Sequence, residues 1–139
     1  MSIYSERLAR LKREIIIIRN RLKKKKFKTH QRIMIDFING VTDVAKFELY
    51  GLIVVLRKGD AKKGFVHILE KHYCIGCQGE LQTMEILNIM DIIKRGIRLE
   101  NEGNTNSNLI VYFRNDTKHK LVLKPTRSEE YVVTMYSIS

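Results

Sequence analysis

Apolar residues at Tyr4, Leu8, Leu11, Ile15, Ile18 and Leu22 recur at steps of three and four, which predicts an amphipathic helix with one apolar seam between basic faces. Ser2 or Ser5 can cap its start, Glu6 suits its first turn, and the like charges of Lys23–Lys26 should end it. Such a seam can pack on its own domain, pair with a second copy or lie on a membrane; packing on its own domain is the first expectation. From Ile33 the period changes. Ile33–Ile38 and Leu49–Leu56 read as short β-branched runs separated by an Asn39-Gly40 turn, with Gly51 as a bulge in the second. Arg57–Gly64 reads as a polar loop, Phe65–Tyr73 as a short helix and Cys74–Gly79 as a loop. Thr83 is placed to cap a helix running to about Arg95, stopped by Gly96.

The last third holds three strand candidates, Leu109–Arg114, Leu121–Leu123 and Tyr131–Ile138, separated by turn signals after GNTNSN at 103–108. Val111, Phe113, Val122, Val132, Thr134 and Tyr136 alternate as in an antiparallel meander with one covered face. The expected class is therefore α+β: one or more N-terminal helices, then a helix pair packed on an antiparallel, roughly four-stranded sheet.

Charge divides the chain. Of 139 residues, 26 are Lys or Arg and 15 Asp or Glu, a net charge of +11. Nearly all of that excess lies in residues 1–32, expected as a basic helical arm ahead of a nearly neutral domain at 33–139. A basic arm favours a polyanion through phosphate contacts and counterion release, or an anionic membrane surface; the plainer alternative is a solvated helix that aids solubility. The apolar runs Ile15–Ile18 and Leu52–Leu56 are too short to span a bilayer, and no secretory signal pattern opens the sequence, so a cytosolic product is expected. A phosphate-binding glycine loop, HExxH and GxSxG are all lacking.

Candidate chemistry centres on His67 and His72. Five residues apart on one helix they would point about 140° apart, so they converge only if His72 sits where the helix ends. Histidine titrates near neutrality and suits the base and acid that RNA cleavage needs. Cys74 and Cys77 offer a rival chemistry, zinc binding or a redox dithiol. A structural zinc site usually needs two such pairs, so two reduced cysteines in a loop are expected and no metal.

In order, GFVHILEKHY (64–73), GELQTMEILNIMDIIKRG (79–96), VYFRN (111–115) and YVVTMYSI (131–138) resemble the barnase–EndoU–colicin–RelE-like nuclease superfamily, in its phage and polymorphic-toxin branch. The resemblance covers about two thirds of the chain and leaves out the basic helix. It implies a cofactor-free, metal-independent endoribonuclease with RNA as substrate and an acidic immunity or antitoxin protein as partner. Carried over by position, His67 and His72 would supply acid and base in an order left open. Arg114 would stabilise charge at phosphorus, and Thr134 would bond the phosphate or orient a histidine, with Tyr136 beside it. Lys62, Lys63, Lys71 and Lys23, Lys24, Lys25 and Lys26 would hold the RNA backbone. The alternative is a non-catalytic nucleic-acid-binding protein that uses its basic helix. Plainer roles exist for each residue: His72 as a cation at a helix end, Thr134 and Tyr136 as strand formers, and Arg114 as a surface charge opposite Glu129 or Glu130.

Overall fold

The computed structural model describes residues 2–49, 51–100, 110–114, 119–125 and 129–138, with backbone alone at 97–100, 110–114, 125, 130 and 133. Helix α1 (Ile3–Leu22) starts where the Ser2 side chain accepts the Ser5 amide and ends before Lys23, as its charge pattern predicts. Its seam is buried on the chain's own core: Leu11 and Ile15 are inside, with Tyr4 and Leu8 packed against them. Helix α2 (Thr29–Ile38) replaces the strand expected from Ile33. The β-branched run is outvoted by burial at helical spacing, with Gln31, Met34 and Ile38 on one inward face. The Gln31 side chain also accepts the Lys28 amide at 2.8 Å, which secures the first turn. The division at 32/33 thus falls inside α2, and α1 shares the core of the rest of the chain.

Strands β1 (Val44–Leu49) and β2 (Leu52–Arg57) form a hairpin in which Leu49 pairs with Leu52. Gly51, at φ 79°, makes the turn rather than a bulge. Helix α3 (Phe65–His72) buries Phe65, Val66, Ile68 and Leu69. The single helix expected from Thr83 is two, α4 (Thr83–Leu87) and α5 (Ile89–Arg95). They break at Asn88, whose side-chain oxygen accepts the buried Gln31 amide at 2.8 Å. The bond satisfies an interior amide that would otherwise be left without a partner at this contact. Gln82, not Thr83, occupies the cap position, with its backbone amide bonded to Glu85 at 2.6 Å.

Strands β3 (Ile97–Glu100), β4 (Ile110–Arg114), β5 (His119–Pro125) and β6 (Glu130–Ser137) are the remaining elements among the described residues. Among the described residues the sheet has six strands in the order β1-β2-β6-β5-β4-β3. It is mixed, because β6 runs parallel to β2, pairing Val54 with Glu130 and Val55 with Tyr131. The α+β class holds, but the sheet is neither wholly antiparallel nor four-stranded: the β1–β2 hairpin joins it, and a strand follows Gly96. The turns at 103–108 and 115–116, and the side chains of Val111 and Phe113, lie outside the described residues.

A register shift in β5–β6 pairs Val122 with Thr134 but Leu123 with Val132, leaving residue 133 as an extra one. Val132 and Met135 therefore both enter the core, three apart instead of two. Straight alternation would have put Val132 on the face of Thr134 and Tyr136. The bulge separates it from them, and the end of the strand meets α3 where Tyr136 stacks on His72.

Candidate active site

The end of α3 is held from behind by α1. Arg7 donates to the carbonyls of Leu69 and Glu70, and the Arg10 guanidinium lies 4.0 Å from the centre of the buried Tyr73 ring. Two cations of the basic helix thus serve the C-terminus of α3, where a helix favours positive charge. Tyr73 is pinned further by a 2.7 Å hydrogen bond between its hydroxyl and that of Thr83.

His72 is the last residue of α3, so its side chain escapes the divergence that a continuing helix would impose. The His67 and His72 rings come to 5.7 Å, nearly perpendicular at 76°. Tyr136 from β6 stacks on the other side of His72 at 5.2 Å and 27°. His67, Lys71, His72 and Tyr136 line one open cavity of about 880 Å³, together with Gln78 and Glu80. Four of the expected residues are thereby brought together.

Each imidazole is held by a backbone carbonyl. His67 Nδ1 lies 3.0 Å from the Ala61 oxygen, and His72 Nδ1 lies 3.0 Å from the Gln78 oxygen. A carbonyl only accepts, so Nδ1 carries the proton in both rings and Nε2 is left as the exchangeable site. Ala61 is presented by a tight turn in which the Asp60 carboxylate accepts the amides of Lys62 at 2.8 Å and Lys63 at 3.2 Å. The Lys62 amide bond holds that carboxyl below its ordinary range. Burial pushes the His72 imidazole below its ordinary value of 6.5; the Gln78 carbonyl opposes this, and the charges of His67 and Lys71 add to it.

Gly79 explains how the loop comes so close. A Cβ at this position, where φ is 71°, would sit 2.8 Å from the Tyr136 Cβ and 2.9 Å from His72 Nδ1. Only a residue without a side chain lets the backbone come this close to both side chains. The end of β6 clasps the same segment: the Ser137 amide donates to the Gly79 carbonyl at 3.3 Å, and its hydroxyl to the Glu80 carbonyl at 2.8 Å.

Among the described side chains, the other expected residues do not line the cavity. Thr134 is half-buried on β6 opposite Val122, and its hydroxyl oxygen is buried without a partner among the described residues. The Arg114 backbone pairs with His119, but its side chain lies outside the described residues. Glu129, once a candidate partner for it, bonds Arg57 at 3.0 Å. Lys62 and Lys63 are exposed on the Asp60 turn, with the Lys63 ammonium 5.8 Å from the Tyr131 ring. Lys23, Lys24, Lys25 and Lys26 are exposed after α1 and do not border the cavity.

Cys74 and Cys77 are joined in a disulfide, which corrects the expectation of two reduced thiols and leaves neither as a thiolate ligand for zinc. The sequence reading missed Ala61, Gln78, Gly79 and Glu80. Two act through backbone carbonyls that no side chain announces; Gly79, just beyond the CxxC pair, was the one visible signal. No helix of the described residues is long and apolar enough to cross a membrane. No family model, curated protein or solved structure matches the chain.

Proposed function

We propose that this protein is a metal-independent endoribonuclease that cleaves RNA by attack of the ribose 2′-oxygen on the adjacent phosphate. The observation that carries this reading is the pair of imidazoles, 5.7 Å apart in an open cavity, each anchored through Nδ1 to a backbone carbonyl. Two groups that exchange protons through Nε2 are what in-line transesterification needs. His72, held below its ordinary pKa, is neutral at pH 7 and takes the proton of the 2′-hydroxyl on Nε2. The 2′-oxygen bonds phosphorus, the bond to the 5′-oxygen breaks, and His67 in its protonated form gives its Nε2 proton to the leaving oxygen. The products are a 2′,3′-cyclic phosphate and a 5′-hydroxyl.

Lys71 borders the same cavity and supplies positive charge for the developing phosphorane. Tyr136 fixes the plane of His72 by stacking. The resemblance to the barnase–EndoU–colicin–RelE-like nucleases adds Arg114 as a further cation and Thr134 as a hydrogen-bond donor. It also adds an acidic immunity or antitoxin protein that closes the cavity, and a toxin acting in the cytoplasm of its own or a target cell. The exposed lysines at 23–26, 62 and 63 bind the RNA backbone outside the reacting phosphate.

The test is a pair of oligonucleotides, all-ribo and singly 2′-deoxy at the cleaved position. The ribo strand should yield cyclic phosphate in the presence of EDTA, and the deoxy strand should bind equally and stay intact. Cleavage of the deoxy strand overturns the mechanism. Binding without cleavage of any RNA would establish the non-catalytic nucleic-acid-binding reading instead.

A further inference from the structure

The Cys74–Cys77 disulfide lies inside the segment that tethers His72. From His72 the chain passes through Tyr73 to Cys74, and from Cys77 directly to Gln78, whose carbonyl returns to His72 Nδ1 at 3.0 Å. The crosslink thus closes the short arc that runs from the imidazole to its own acceptor. Nothing apolar anchors that arc at its tip: Ile75 is 86% exposed, and Gly76 follows it at φ 78°. Hydrogen bonds restrain it as well: within the arc the Cys77 amide bonds the Cys74 carbonyl at 3.4 Å and the Gly76 amide the Glu80 carboxylate at 2.9 Å, and beyond it the Leu81 amide bonds the His72 carbonyl at 2.7 Å. Without burial at the tip, the disulfide is the covalent restraint on the backbone of 74–78, added to those exchangeable hydrogen bonds.

We propose that the Cys74–Cys77 disulfide is a positioning element for His72, and that its reduction by a cellular dithiol switches the site down. The proposal rests on the ribonuclease reading for its activity arm alone. Cys77 borders the open cavity, so a thiolate can reach its sulfur. Attack at Cys77 Sγ breaks the S–S bond, forms a mixed disulfide and releases Cys74 as a thiolate that takes up a proton. The reductant's second thiol then displaces Cys77, which is protonated in turn. Two electrons and two protons pass to the protein, and the reductant leaves as its own disulfide. With the arc released, the Gln78 carbonyl no longer fixes the proton on Nδ1. The neutral ring then drifts toward the Nε2–H tautomer that imidazole favours in water, which cannot accept a proton at the reacting atom.

The experiment uses the full chain labelled with 15N, read by imidazole nitrogen spectra and by cleavage of RNA, before and after dithiothreitol. Oxidised protein should show both histidines as Nδ1–H tautomers. Reduction should move His72 toward Nε2–H and leave His67, tied to the Ala61 carbonyl, unchanged. Cleavage should fall roughly ten- to hundredfold, the scale of a small misplacement of a reacting group, and return on reoxidation. A Cys74→Ser/Cys77→Ser double variant should behave as reduced protein and ignore dithiothreitol. An unchanged His72 tautomer overturns the proposal, as does loss of the His67 tautomer together with it, since the effect would then be global. A tautomer change in a protein that cleaves no RNA in either form upholds the positioning role and overturns the ribonuclease reading.

Discussion

His72 and Tyr136 stack at 5.2 Å although one ends a helix and the other nearly ends the last strand, 64 residues later. That contact depends on two local irregularities. Helix α3 stops at His72, and β6 carries a bulge at 133 that puts Tyr136 on the side away from the buried Val132. Gly79 packs against the Tyr136 Cβ and His72 Nδ1 and brings the Gln78 carbonyl to the imidazole. Helix end, bulge and glycine converge on one nitrogen, which is the physical content of the site.

Replacing either histidine with alanine should abolish cleavage while leaving the fold intact, because both side chains are only half-buried at the cavity wall. Each variant should lose about a hundred- to ten-thousandfold in kcat, the range for one general acid or base. Circular dichroism and single-turnover cleavage of a short RNA check the two halves of this statement. Full activity of either folded variant would remove that histidine from the mechanism.

The pH dependence has a definite sign. His72 must be neutral to act as the base, and its pKa lies below 6.5, so kcat/KM should rise through an acid limb below that value. Lys71 contributes to the depression, so Lys71→Gln should move this limb to higher pH as well as lower the plateau. The same shift affects stability. A histidine with a folded pKa below its unfolded value costs stability as pH falls from the unfolded through the folded pKa, because the unfolded chain binds the proton first. An acid limb unmoved in the Lys71 variant would show that His72 is not the group being titrated.

The helical seam of α1 was legible because burial there is periodic over many residues, and β6 was legible as a strand although the bulge at 133 breaks the alternation expected of Val132, Thr134 and Tyr136. The convergence of His67 and His72 was legible as a condition, met when α3 ended at His72. The stretch Ile33–Ile38 misled because its β-branched residues sit on a helix whose inward face begins earlier, at Gln31. Likewise the break at Asn88 reflects a partner, Gln31, that lies 57 residues away in sequence. Partners of that kind, and the carbonyls of Ala61 and Gln78, are set by tertiary packing and leave no local pattern.

Gly79→Ala should damage the site more than the fold. A positive φ costs an ordinary residue roughly 1–2 kcal/mol, and the added Cβ must also displace Tyr136 or His72. Gly40→Ala supplies the comparison, since Gly40 has φ 78° but nothing within 4 Å of an added Cβ. Backbone strain should lower the stability of both variants in urea titrations, with a larger loss for Gly79→Ala from its added contacts, but Gly79→Ala alone should lose cleavage. Equal activity in the two would mean that the close approach of the loop does not matter to the reaction.

Glu85 joins α4 to β5 by bonding the buried His119. Burial pushes the Glu85 carboxyl up, but the His119 hydrogen bond, the Gln82 amide and the His119 charge together hold it below the ordinary value. A carboxyl with a depressed folded pKa stabilises above its unfolded pKa, and that contribution fades as pH falls through the folded pKa. Glu85→Gln should therefore cost about 1.5–3 kcal/mol at neutral pH, the scale of a hydrogen bond to a charged group. It should also flatten the loss of stability through the acid range. Wild-type and variant curves that stay parallel down to acid pH would show that this pair does not couple stability to protonation.

The basic helix has two separable duties, and one pair of variants divides them. Leu11 is fully buried, so Leu11→Ala should cost about 2–5 kcal/mol and lower the thermal midpoint. Truncating residues 1–30 would combine that core damage with loss of charge, because Leu11 and Ile15 would leave with the lysines. Changing Lys23, Lys24, Lys25 and Lys26 to Gln removes four exposed charges and touches no core residue. Stability should stay within about 0.5 kcal/mol, the usual range for surface substitutions. RNA affinity should fall and its dependence on salt should become shallower, since fewer counterions are released on binding. Cleavage of a short oligonucleotide at saturating concentration should be unchanged, because none of these lysines borders the cavity of His67 and His72. An unchanged salt slope would assign the lysine run to solubility alone, whereas loss of saturated cleavage would place it at the reacting phosphate.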